Sequence, residues 1–204
     1  MKKINNYIVE KLKKISSQNL GKVYNYYPEN KEELKELVKK LIEERGNEAD
    51  LNDIDTSKIT EMSKLFWHTQ FDGDVSKWDV SNVKDMHDMF SISDFSGKNS
   101  DLSKWDVSNV IDMQEMFYDA PFNRDISKWD VSNVKNMAQM FYDAPFNGDI
   151  SNWNVSNVED MYSMFRRSEF NGDISKWDVS KVKDMSKMFK GCPLEQNPPK
   201  WYKE

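Results

Sequence analysis

Apolar positions keep a fixed beat through most of this 204-residue chain. Trp78, Trp105, Trp129, Trp153 and Trp177 stand 27, 24, 24 and 24 residues apart, and a Phe follows each by twelve, from Phe90 to Phe189. A fixed period of this length means one short structural unit copied in tandem. With the Trp as position 1, inward apolar residues fall at Val131, Val134, Met137, Met140, Phe141 and Ala144. That spacing predicts a helix of about three turns from Val134 to Ala144, opened by Asn133 and Asn136. Ile126, Trp129 and Val131 predict a short extended segment with its apolar side chains turned inward.

A different pattern precedes the repeats. Ile4, Ile8, Leu12 and Ile15 share one face of a predicted helix that Gly21 ends. Val23 to Tyr27 reads as a short strand closed by Pro28. Asn30 and Glu33 form a predicted capping box for a second helix, which buries Leu34, Leu37, Val38, Leu41 and Ile42 and stops at Arg45-Gly46. The domain division that results is a helical N-terminal cap over 1–49, a repeat array of five to six units over 50–193 and a C-terminal cap or tail over 194–204. The first unit is degenerate, with Ile54 in place of Trp, and Gly191-Cys192-Pro193 reads as the break that ends the last. Three extra residues lie between Phe90 and Trp105 and should bulge from one edge. A strand and a helix per 24 residues define the predicted fold class: an α/β, leucine-rich-repeat-like solenoid with a parallel sheet at the usual spacing of ~4.8 Å.

The unit Trp-Asp-Val-Ser-Asn-Val-x-x-Met-x-x-Met-Phe-x-x-Ala-x-Phe-Asn-x-Asp-Ile-Ser resembles the repeat of the bacterial BspA-type leucine-rich-repeat surface proteins, known in mycoplasmas as DUF285. The likeness spans about residues 50–193. It implies a noncatalytic repeat protein that contacts other proteins, often at a cell surface. The family's secretion signal and lipoprotein cysteine are lacking here. Glu10, Lys11, Lys13 and Lys14 interrupt any apolar signal core, so the expected location is the cytoplasm, with the cell surface or secretion as the alternative.

Charge narrows the partner. Residues 1–49 carry 11 basic and 8 acidic residues, whereas residues 50–204 carry 18 and 27. An acidic array disfavours nucleic acid and anionic lipid, and no apolar run reaches the ~20 residues of a membrane span. The single Cys192 excludes an intrachain disulfide and occupies the packing position of Ala120 and Ala144.

Three columns invite a functional reading. Eleven methionines at positions 9 and 12 suggest a thioether site or an adaptable groove, but flexible core filling explains the spacing better. The Trp column suggests sugar or base stacking, and its place two residues before an inward Val favours burial. Asp columns at positions 2 and 21 suggest Ca²⁺, while Asp and Asn beside Ser favour turn capping. His68 and His87 lie in different units, and no catalytic motif appears. The expectation is therefore no enzyme, no cofactor and no metal. In a repeat, invariant positions build the stack and variable exposed ones are free for a partner. That logic selects Trp67, Tyr118, Tyr142 and Arg166 at position 14, Arg167 at 15 (beside His68, Ile92, Asp119 and Asp143), His87 and Tyr162 at 10, and Ile111 at 7. Aromatics and Arg dominate protein interfaces, so a protein partner is expected, through a strip centred on Tyr118, Tyr142, Arg166 and Arg167.

Overall fold

The computed structural model describes residues 24–203. The helix read from Ile4, Ile8, Leu12 and Ile15 lies outside them. Helix α1, Lys31–Arg45, forms as the sequence dictates. The Asn30 side chain accepts from the Glu33 N–H at 3.0 Å, and the Gly46 N–H closes the helix on the Ile42 carbonyl at φ +88°. Leu34, Leu37, Val38 and Leu41 are buried against the first repeat. Ahead of α1, Tyr26 forms an isolated parallel bridge with Ile54.

The α/β strand–helix architecture expected for the repeats is not what they adopt. Among the described residues α1 is the only α-helix, and no sheet forms. The repeats contain only isolated parallel bridges and two short 3-10 turns, Leu102–Lys104 and Pro193–Glu195. Each unit is instead one coil of a stack: 54–77, 78–104, 105–128, 129–152, 153–176 and 177–200. The bridges Glu61–Asp85, Asp85–Asp112, Asp112–Asn136, Asn136–Asp160 and Asp160–Asp184 all fall at position 8, not in the Trp segment where strands were expected.

The stretch from position 6 to 16, expected as helix, is not helical, and from position 9 it is a run of overlapping tight turns. The N–H groups of Met140, Tyr142 and Ala144 donate to the carbonyls three residues back, at 3.2, 3.1 and 3.3 Å. Alternate N–H groups leave the coil. Those of Met137, Gln139, Phe141 and Asp143 donate to Asp160, Tyr162, Met164 and Arg166 of the next coil, at 2.8–2.9 Å and 3.0 Å for Phe141. The same four bonds recur at every interface between coils. They require residues 11 and 15 to be left-handed: Lys64, His68, Asp88, Ile92, Glu115, Asp119, Gln139, Asp143, Ser163, Arg167 and Lys187 have φ between 49 and 60°, and Gly191 79°. Each such non-glycine residue costs ~1–2 kcal/mol. Coils 2 to 5 offset this by burying two Met and a Phe each, worth ~1.5–3 kcal/mol apiece, beside their inter-coil hydrogen bonds.

The core is a set of columns. Phe66, Phe90, Phe117, Phe141, Phe165 and Phe189 stack with centroids 5.2–6.1 Å apart. Phe71, Phe95, Phe122, Phe146 and Phe170 form a second column at 6.2–6.4 Å. The Trp side chains are buried, and from Trp105 to Trp177 each Nε1–H donates to the position-22 carbonyl two coils back, as Trp129 does to Leu102 at 2.9 Å. The ladder runs one rung further than the spacing search reached. Trp201, 24 residues after Trp177, stacks on it at 6.4 Å and donates to Ile174. Cys192 and Pro193 therefore continue the register rather than break it. The three inserted residues are Lys98, Asn99 and Ser100, next to Gly97 at φ +70°, and Ser100 Oγ accepts from the buried Val75 N–H.

Candidate functional site

The invariant polar columns are occupied by turn construction. Asp130 Oδ1 accepts from the Ser132 N–H at 3.0 Å, and the same bond recurs from Asp55 to Asp178. At position 21, Asp74, Asp101, Asp125, Asp149 and Asp173 cap Ser in the same way. These Ser hydrogen bonds hold Asp101, Asp125, Asp130, Asp149, Asp173 and Asp178 below the usual carboxylate range. Asn82, Asn109, Asn133 and Asn157 tie each coil to the one before through a Ser carbonyl. Asp112 is the exception: burial, and then Asp85, pushes its carboxyl up. The buried Cys192 thiol is also pushed up, by burial, which makes it a poor nucleophile.

The variable positions form the outer edge. At position 14, Tyr118 and Tyr142 stack at 4.6 Å and 9°. Arg166 sits over Tyr142 at 5.4 Å, and its buried Nε has no hydrogen-bond partner among the described residues. Arg167 pairs with Asp143 at 3.2 Å, and its interaction with Tyr142, then Asp143, holds its pKa up. Burial, and then Tyr142, raises the Tyr118 phenol. So Tyr118, Tyr142, Arg166 and Arg167 are brought together across three successive coils. Trp67 lies on the same edge with 47% of its surface exposed, under Lys64 at 5.9 Å. Between Trp67 and Tyr118, Ser91 is wholly buried, so the edge closes over it.

Tyr162 adjoins this edge through Lys187, 5.7 Å from its ring; the neighbouring Ser163, and then Lys187, lowers its phenol pKa. Two candidates fall elsewhere. His87 Nδ1 lies 2.8 Å from Asp85 on the bridge column. Ile111, 42% exposed, is one position before that column. The residue passed over is Ile92. It is 40% exposed, on the edge beside Trp67 and Tyr118, and its φ of 51° is an outlier for a β-branched side chain. Its signal was an apolar residue in a column otherwise polar or Gly.

The sequence matches the family described as Mycoplasma protein of unknown function, DUF285, over residues 32–145 and again over 92–201. The chain belongs to the DUF285 family. The family's span begins inside α1 and ends at Trp201, the last rung of the ladder. No curated protein and no solved structure matches this DUF285 chain. Among the described residues no helix is long and apolar enough to cross a membrane.

Proposed function

We propose that this DUF285 protein is a noncatalytic binding module, and that a partner protein docks along the edge built from positions 14 and 15. The observation that carries this reading is the exposure of Trp67 and Ile92 on the same edge as the Tyr118–Tyr142–Arg166 stack. Large apolar side chains on a water-facing edge lower solubility without adding to the core. The stacked Tyr and Arg residues are rigid before binding, which reduces the entropy lost on association. The noncatalytic part of the reading is supported by the use of the repeated carboxylates as turn caps. The place of action proposed is the cytoplasm, and the likeness to BspA-type proteins favours the cell surface as the alternative; protease treatment of intact cells separates the two.

The test is affinity capture from host extract with the wild-type chain and with Tyr118, Tyr142, Arg166 and Arg167 all replaced by Ala. The reading predicts a protein retained by the wild type and lost by the variant, with melting temperatures within a few degrees of each other. Equal retention by both would remove the edge from consideration.

A further inference from the structure

Coil 6 leaves a second surface, which meets the variable edge at Lys190 and Gly191. In coils 1 to 5 the N–H groups at positions 9, 11, 13 and 15 all point toward the following coil and are bonded there. Coil 6 presents the same row. Gly191 donates to Glu195 Oε2 at 2.9 Å, while the N–H groups of Met185, Lys187 and Phe189 have no acceptor among the described residues. Beside this row Val179, Val182 and Met185 are only partly buried, whereas Val155, Val158 and Met161 one coil earlier are 2%, 0% and 0% exposed. Trp201 and Tyr202 cover the neighbouring part of the same face, packing on Trp177 and Phe189. Beyond Trp201 the residue types depart from the repeat: Tyr202 stands in the Asp column, and Lys203, exposed, in the inward Val column.

Charge selects what fits. Coil 6 carries Lys181, Lys183, Lys187, Lys190 and Lys200 against Asp178, Asp184 and Glu195, while every earlier coil has more acidic than basic residues. The free N–H row adds the positive ends of aligned peptide dipoles. A second copy stacked head to tail does not suit this face. The carbonyls it would offer belong to position 8, 10 and 12 residues of coil 1. Ser63 and Leu65 there are 0% and 4% exposed, and Lys31 of α1 reaches Glu61 and Ser63.

We propose that the end face of coil 6 accepts an extended, acidic segment of a partner protein, which adds to the stack as a further layer. Its carbonyls take the Met185 and Lys187 N–H groups. Apolar side chains three residues apart cover Val179, Val182 and Met185. Carboxylates meet Lys187 and Lys190, Lys183 being paired with Glu159 of coil 5. The physics is that of strand addition to an open edge, with main-chain bonds giving affinity and side-chain spacing giving selectivity.

The probe is a synthetic peptide of residues 107–119 of this chain, which places Val107, Val110 and Met113 at the required spacing and carries Asp112, Glu115 and Asp119. It is titrated into the full chain while amide hydrogen exchange is followed. The peptide should bind and slow exchange at Met185 and Lys187 about tenfold or more, and a scrambled peptide should not. Lys187→Glu with Lys190→Glu should weaken binding about tenfold. Glu115 already occupies the Lys187 position in coil 3, so the exchange suits the backbone there. The Tyr118, Tyr142, Arg166, Arg167 variant should bind the peptide normally, which separates this face from the edge. Absence of binding, protection at positions 14 and 15 instead, or self-association of the free chain that protects Met185 and Lys187 would each overturn the proposal.

Discussion

Leu34, Leu37, Val38 and Leu41 in α1 and Met137, Met140, Phe141 and Ala144 in coil 4 repeat the same spacing of three, one and three residues. All eight side chains are buried, yet the first set lies on a helix and the second on a coil of tight turns. The difference lies in where the N–H groups go. In α1 they close on carbonyls of the same helix, and the orphans are capped by Asn30. In coil 4 every second N–H crosses to coil 5, which is possible only because an identical coil stands there with carbonyls in register. Apolar spacing reports which side chains are buried; it does not report which backbone partners are at hand.

Mutations should separate the two regions by size of effect. Trp129→Ala removes a buried ring and the bond to Leu102, and should cost ~3–5 kcal/mol in denaturant unfolding. Leu37→Ala in α1 should cost ~2–4 kcal/mol, by the same cavity mechanism and without the cross-coil bond. Asp130→Ala strips one turn cap and should cost about 1 kcal/mol, with Asp130→Asn recovering most of it, since Asn154 already caps Ser156 in the next coil. Smallest is a pH effect. The Asp caps are depressed in the folded state, so their stabilisation is complete above the unfolded carboxylate pKa of about 3.9 and is lost as pH falls through their folded values. Asp112 runs the other way: its raised pKa means the folded chain favours its neutral form, a penalty present at neutral pH and relieved on acidification. Asp112→Asn should therefore raise the melting temperature slightly at pH 7, and the gain should vanish below about pH 4.

Much of this was legible from residue type. Asn30, Glu33 and Gly46 set the limits of α1, and the Trp, Val, Met and Phe columns identified the core. The coil conformation was not legible, because left-handed φ at positions 11 and 15 falls on Lys64, Glu115, Gln139 or Arg167, residues with no preference for it, as often as on the more tolerant His68, Asp88, Asp119, Asp143 and Gly191. Trp201 was hidden by Leu194 in the Phe column and two prolines just before it, although its spacing of 24 was in plain view. On the edge, Tyr118, Tyr142, Arg166 and Arg167 were found by their variability, whereas Ile111 and His87 shared the variability but face other columns.

The left-handed coil is tested most directly by glycine at one exposed site in each region. Asp119 has φ 49°, and Glu36 lies in the middle of α1. Glu36→Gly should destabilise the protein by roughly 0.5–1 kcal/mol, as glycine does within a helix. Asp119→Gly, measured by the same chemical denaturation, should be neutral or stabilising by up to about 1 kcal/mol, because glycine relieves the left-handed strain. A loss at Asp119 equal to that at Glu36 would mean that the repeats are helical after all.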